Sequence, residues 1–502
     1  MDWLKKALYD CSPFDALGVA LRDGGRLSLL GLPGSLPALI ASYVIEQAGR
    51  PVLVACETLE DAEEFADDLT SLLSEQGPCL LPGAPHYGRA PTRVELSERA
   101  EVLLALHRQE TASVVTSCSA LLDALPSPGA VSRNLFVIVR GEELPRDTLL
   151  EFLVQGGYTR ESLVESVGQF AVRGAVVDIF SYGTANPVRI EYYDDIVDSL
   201  RTFDPETQKS TGQVEKFEVF ATKEPEAQAS SIFDHLPERS VIVWVEGRAC
   251  WSALKDEWRN RVPELRIDSN PPDNSSINPE TLRIQAGKFL QFFVNSTPFA
   301  VDGQVNFEAS AQESFAANIP LLADRLKEYR QQGLRSVILS DCLEAGQRLG
   351  AILEERGLSD GVFEVREGGL HHGFTLPSAG LALLVDHDIF GRRRRRRRFM
   401  KFKNVVPLRG LDALRVGDYV VHVEYGIGRY LGLEKIAVGG VSRERLKIEY
   451  KDGVLLYVKL ENLAQIQKYA GREGFQPPLS RIGGRDWAQL RHKTKQSLKA
   501  IA

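Results

Sequence analysis

Seven consecutive arginines, Arg392, Arg393, Arg394, Arg395, Arg396, Arg397 and Arg398, cut this 502-residue chain in two. No hydrophobic core accepts seven adjacent guanidinium groups, because a buried charge without a partner is strongly destabilising. Neighbouring like charges also repel one another and stay in water. The run is therefore expected to lie in an exposed linker, residues 391–407, with separate folded bodies on either side. The charge distribution divides at the same place. Residues 391–502 carry 26 Lys and Arg against 10 Asp and Glu, whereas residues 1–390 carry 34 against 58. An acidic body followed by a basic region points to two different partners.

The rest of the composition excludes several classes. At 43% hydrophobic and 25% charged residues, the chain is ordinary globular material. No stretch approaches the roughly 18–20 apolar residues that span a bilayer. Met1 to Asp10 lacks a signal-peptide core, so a cytoplasmic location is expected. Six cysteines, at 11, 56, 79, 118, 250 and 342, form no C-x-x-C pair. Neither a zinc site nor a disulfide framework is suggested, and the thiols are expected to be reduced. His387 between Asp386 and Asp388 is too little for a metal site.

Hydrophobic periodicity predicts a multidomain α/β fold. Leu27 to Leu30 and Pro51 to Cys56 read as strands. From Thr58 the spacing turns helical, with Ala62, Phe65, Leu69, Leu72 and Leu73 on one face and Glu60, Glu64, Asp67 and Asp68 on the other. A strand at Ser113 to Thr116 and a short helix at Ala120 to Leu125 continue an alternation that implies a parallel sheet. Residues 132–212 read as an inserted α+β module between two parts of this first domain, 1–131 and 213–300. The module has strands at Gly174 to Phe180 and Val188 to Tyr193 joined by a turn at 182–187. A further α/β domain is expected at 301–390, built on helix Ile319 to Arg330, strand Ser336 to Ser340 and helix Leu343 to Arg356. A β-rich domain at 408–470 follows the linker. Its hairpin alternates Leu446, Ile448 and Tyr450 with Lys447, Glu449 and Lys451, turns at Asp452-Gly453 and returns through Leu455 and Tyr457. A small Tudor- or SH3-like barrel suits such a segment. Residues 471–502 form a linker and the start of a long helix near Asp486.

One loop carries the form of a phosphate site without its chemistry. Gly31-Leu32-Pro33-Gly34-Ser35-Leu36-Pro37-Ala38 lies between a strand and a helix, where the pattern G-x-x-x-x-G-K-[ST] belongs. Leu36 stands at the second glycine, Pro37 at the lysine and Ala38 at the hydroxyl. The charge for the β/γ-phosphates and the magnesium ligand are thereby missing. Pro37 also removes a backbone donor. Val241 to Glu246 reads as the matching acidic strand, with Val245 at the metal-binding aspartate. Alone, these are an ordinary turn and a buried strand. Together Gly31, Gly34, Ser35, Leu36, Pro37 and Ala38 read as a degenerate nucleotide loop. No catalytic residue, metal or cofactor is expected in this chain.

Gly168 to Phe180, then Val188 to Arg201 and Phe203-Asp204-Pro205, closely resemble the module shared by UvrB and the transcription-repair coupling factor family. Asp195 to Phe203 follow the pattern D-x-I-D-S-L-R-x-F with Val197 as the one change. Ser231 to Glu238 also resembles both groups. Asp386 to Gly391 resembles the coupling factors' segment before their polymerase-binding module, with Asp388 for glutamate. Val416 to Tyr430 resembles the start of the CarD-like polymerase-interacting domain, and Leu479 to Trp487 resembles the approach to the family's motor. The resemblance covers essentially the whole chain. It implies a DNA-repair adaptor for transcription-coupled nucleotide excision repair. UvrA would bind the inserted module through Arg173, Arg189 and Tyr193. The RNA polymerase β subunit would bind the β domain through an open edge strand at Arg445, Leu446, Lys447 and Ile448. The ATP- and magnesium-dependent motor would lie beyond Ala502. From the residues alone, Arg173 and Arg189 could equally be surface ion pairs with Glu191, Asp194 or Asp195. Two rivals remain: a UvrB-like damage-binding ATPase, opposed by the missing lysine and hydroxyl, and a non-specific nucleic-acid binder using the arginine run.

Overall fold

The computed structural model describes residues 1–73, 77–84, 91–111, 113–205, 207–222, 230–261, 276–295, 301–358, 361–391, 405–407, 417–422, 426–438, 441–459, 466–469 and 479. The seven arginines and the helix expected from Asp486 lie outside them. The chain separates into two compact units, Met1–Arg394 and Arg395–Ala502.

Seven parallel strands centre the first unit. Their order is Gly303–Asn306, Arg26–Leu30, Leu290–Val294, Val241–Val245, Val52–Cys56, Ser113–Ser117 and Cys79–Leu81. A parallel sheet is covered on both faces, which is why strands such as Val52–Cys56 and Leu290–Val294 are buried along their whole length. Helix Leu59–Leu72 starts at a capping box, Thr58 with Asp61. Its Ala62, Phe65, Leu69 and Leu72 are buried as the spacing predicts. Asp68, expected on the solvent face, is also buried and takes the backbone N–H and Nδ1 of His371 at 2.8 and 2.9 Å. The helix expected at Ala120 to Leu125 is only Cys118–Leu121, because Asp123 and Leu125 bridge to Ser276 and Ser230 instead.

A second sheet has the order Ser310–Ala311, Phe374–Leu376, Leu381–Val385, Arg335–Ser340, Phe363–Glu367. It does not form an isolated domain beginning at 301. Strand Gly303–Asn306 belongs to the first sheet, and Leu339, Leu376 and Leu383 share one core with Leu39, Val54 and Phe292. Helices Ile319–Gln331 and Leu343–Glu355 cover the other side of the second sheet through Leu322, Leu326, Leu349 and Leu353.

The inserted module opens with Leu135–Val139 and closes with Lys216–Phe220, paired antiparallel with each other. It therefore runs past residue 212. Between them lie helix Arg146–Gln155 and a six-stranded sheet, Ser210–Gln213, Ile196–Phe203, Val188–Tyr193, Val176–Phe180, Gln169–Arg173, Thr159–Arg160. Alternation sends Phe170, Val177, Ile179, Val188, Ile190 and Leu200 into the core shared with helix Arg146–Gln155. Arg173 ends one strand rather than starting the next. Gly174, at φ 61°, makes the turn, and the following strand begins at Val176.

The second unit holds an antiparallel sheet ordered Val405–Pro407, Ile466–Tyr469, Tyr419–His422, Gly426–Val438, Val441–Glu449, Leu455–Lys459. Val420, Ile427, Tyr430, Leu446, Ile448 and Tyr450 are buried in it. Gly428 has no room for a side chain, since a Cβ there would come within 2.5 Å of Ile448 Cγ2. Among the described residues, no helix is long and apolar enough to cross a membrane.

Candidate functional site

The loop Gly31 to Ala38 is packed against other parts of the protein. Leu32 exchanges two 2.9 Å hydrogen bonds with the side-chain amide of Asn295, one through its N–H and one through its carbonyl. Ser35 donates its N–H to the His372 carbonyl at 3.3 Å, and its Oγ accepts the His372 N–H at 3.0 Å. A Cβ on Gly34 would stand 2.6 Å from the Gly373 carbonyl oxygen. Leu36, Pro37 and Ala38 are buried. Residues 371–373 thus close against the loop at Gly34 and Ser35 and take up the Ser35 N–H. Two buried carboxylates hold this segment. Asp68 binds His371, and Asp388 accepts the N–H groups of Gly373 at 2.8 Å and Val385 at 3.3 Å. Burial pushes the Asp388 carboxyl above its ordinary range, against those N–H donors. Among the described residues, no cluster of three or more His, Cys, Asp and Glu side chains could hold a metal ion. The six cysteines are free thiols.

The three module residues singled out by sequence do share one face of the six-stranded sheet. Arg189 and Tyr193 alternate outward along Val188–Tyr193, and the strand register carries the same face to Asp178 and Arg173. Their environments differ. Tyr193 is 72% exposed, opposite Ile196 at 45%. Arg173 has a half-exposed side chain. The Arg189 side chain is only 18% exposed and is held on three sides. Its Nε and Nη2 donate to the two oxygens of Asp178 at 2.8 and 3.0 Å, and its Nη1 reaches the Gln208 carbonyl at 3.3 Å. Its guanidinium carbon sits 4.7 Å from the centre of the Phe203 ring. Arg173 also donates to Asp178. Their shared partner is therefore neither Glu191, Asp194 nor Asp195 but the buried Asp178. A carboxylate inside the apolar run Val176 to Phe180 was the signal available in the sequence, since a buried charge demands a partner.

The β unit corrects one expectation outright. Val441–Glu449 is not an open edge at Arg445, Leu446, Lys447 and Ile448. These residues pair with Gly426–Val438 on one side and Leu455–Lys459 on the other. Leu446 and Ile448 are fully buried, whereas Arg445 and Lys447 lie on the half-exposed opposite face. There Lys447 pairs with Glu434 at 2.7 Å, which lowers the Glu434 carboxyl from its ordinary range, and Arg429 pairs with Glu449 at 2.6 Å. Among the described residues the sheet ends at Val405–Pro407 on one side and at Leu455–Lys459 on the other, where Val454 and Leu455 are 46% and 40% exposed.

The comparisons match two segments of the chain. A family model described as UvrB interaction domain matches residues 136–224, and one described as CarD-like/TRCF RID domain matches residues 414–470. The chain is 26% identical to a transcription-repair-coupling factor of Bacillus subtilis (strain 168), over 100% of the chain and 50% of that protein. It is 25% identical to one from Staphylococcus aureus (strain bovine RF122 / ET3-1), over 94% of the chain and 47% of that protein. The chain spans about half the length of the curated relatives it matches. Among solved structures, a DEAD box protein of Methanococcus jannaschii aligns over 71% of the chain and 72% of its own at 9% identity and a TM-score of 0.25, too slight a likeness to bear on the fold.

Proposed function

We propose that the chain is a member of the transcription-repair-coupling factor family and acts as an adaptor that binds RNA polymerase through one segment and UvrA through another. The inserted module would hold UvrA through the face around Arg173 and Tyr193. The unit at 414–470, which we read as a small barrel, would hold the polymerase β subunit. The observation that supports this reading best is the presence of both matched domains in one chain. Its working place would be the cytoplasm, and the arginine run would add at most a salt-sensitive contact to DNA phosphates.

Immobilised chain is expected to retain purified UvrA and polymerase core, each without the other. Failure to retain either protein would sink the proposal. Tethering DNA repair to a stalled polymerase in this way needs no bond to be made or broken by the adaptor. ATP and magnesium would serve a motor outside this chain.

The loop's residues lead to a second expectation, that the chain hydrolyses no ATP. The lysine and hydroxyl are absent, and the 371–373 segment closes against the loop at Ser35. Steady phosphate release that Gly34→Val abolishes would overturn this expectation.

A further inference from the structure

We propose that Asp178 is the positioning residue of the partner-binding face: its carboxylate fixes Arg189 within the sheet and presents Arg173, already oriented, beside the exposed Tyr193. This rests on the proposal that UvrA binds the module. The sheet register makes the arrangement possible. Asp178 stands directly opposite Arg189, while the residue opposite Arg173 is Val176. Asp178 is thus the diagonal neighbour of Arg173, about 7–8 Å away between backbones and within reach of a long side chain. The Asp178 side chain has no exposure at all. Both its oxygens are occupied, Oδ1 by Arg189 Nε and Oδ2 by Arg189 Nη2 and by Arg173.

The two arginines are left in different states. A bidentate fork fixes the plane of Arg189, and the Phe203 ring and the Gln208 carbonyl hold its remaining sides. Arg189 is a strut. Arg173 is held by one terminal nitrogen with its side chain 44% exposed, so it keeps N–H donors to offer outward. An untethered arginine loses rotamer freedom when a partner orders it, and Asp178 has met that cost before binding. One carboxylate between two guanidinium groups leaves the cluster with a single net positive charge. The face therefore suits a partner surface with a carboxylate next to an apolar area that accepts Tyr193 and Ile196.

Asp178→Asn keeps the side-chain volume and removes the charge. UvrA is titrated against the full chain, Asp178→Asn, Arg173→Ala and the double variant, with thermal melts to show that each is folded at the temperature used. Asp178→Asn is expected to weaken UvrA binding roughly tenfold, and less than about threefold in the Arg173→Ala background, because its effect travels through Arg173. A residue that only supports the fold would lower the melting temperature and leave affinity unchanged, or shift it equally in both backgrounds; either result overturns the proposal. Should Asp178→Asn not fold, Asp178→Ala combined with Arg189→Leu removes the buried charge together with its principal partner. That variant is expected to lose UvrA binding to a similar extent, and parental affinity in it would overturn the proposal. Tyr193→Ala is the control for the partner. If the parent chain retains no UvrA, or if Tyr193→Ala and Arg173→Ala both bind as the parent does, the assignment of UvrA to this face has failed, and the role of Asp178 falls with it.

Discussion

Leu446→Arg is expected to unfold the β-rich unit and to abolish polymerase retention for that reason alone. Leu446 is fully buried, on a strand hydrogen-bonded along both sides. An arginine there would bury a charge without a partner, at a cost of at least about 3 kcal/mol. A unit this small has little margin to absorb such a loss. Calorimetry of the variant should show the transition of the second unit lost and that of the first unit intact. Partner contact has to be tested at residues that face outward. Lys447→Glu reverses a charge on the half-exposed face and breaks the pair with Glu434. It is expected to weaken polymerase capture roughly tenfold, with a weaker dependence on salt and the melt unchanged. A folded Leu446→Arg variant that still retains polymerase would refute the burial argument. An unaffected Lys447→Glu variant would move the contact to another part of the unit, with the Leu455–Lys459 edge the next place to look.

Arg189→Ala and Tyr193→Ala should separate stability from binding within the module. Removing Arg189 strips Asp178 of its bidentate partner and leaves a fully buried carboxylate with Arg173 as its remaining ionic contact. The expected loss of stability is on the order of 3–5 kcal/mol. Tyr193 is 72% exposed, and its truncation should change stability by no more than about 0.5 kcal/mol. As an exposed aromatic anchor it should nonetheless cost about 2 kcal/mol of UvrA affinity, close to thirtyfold. Denaturant melts and UvrA titrations on the same two proteins check both statements. Equal melting midpoints for Arg189→Ala and the parent would mean that the Asp178 cluster contributes nothing to the fold.

The contrast between these residues shows what the sequence could express. Alternation in the segment from Leu446 to Tyr450 correctly separates a buried face from a half-exposed one. Alternation is a property of one strand, however, and whether that strand has neighbours on both sides is a property of the sheet. The edge assignment failed on that difference. Helix Leu59–Leu72 shows the same limit. Its apolar face was legible from spacing, but the burial of Asp68 depends on His371, about three hundred residues further along. Arg189 was legible as a functional candidate through the family resemblance. Its pairing was not, because the nearest acids in sequence, Glu191, Asp194 and Asp195, are not the acid that the register places opposite it. The departures from a nucleotide-loop pattern in Gly31 to Ala38 were legible residue by residue. The segment that packs on the loop was not, since nothing in residues 371–373 signals a contact with Ser35.

The two strands that bound the module have a further consequence. Leu135–Val139 and Lys216–Phe220 lie side by side, with Leu135 opposite Phe220. The chain leaves its host and returns to it at points about 5 Å apart, the spacing of neighbouring antiparallel strands. In connectivity the module is a closed insertion, but it is not free-standing: its Leu149, Leu153, Val177 and Ile190 share one hydrophobic core with Leu53, Leu104, Ile242 and Trp244 of the host. A module moved to another scaffold would need a matching apolar surface there as well as a hairpin to splice into.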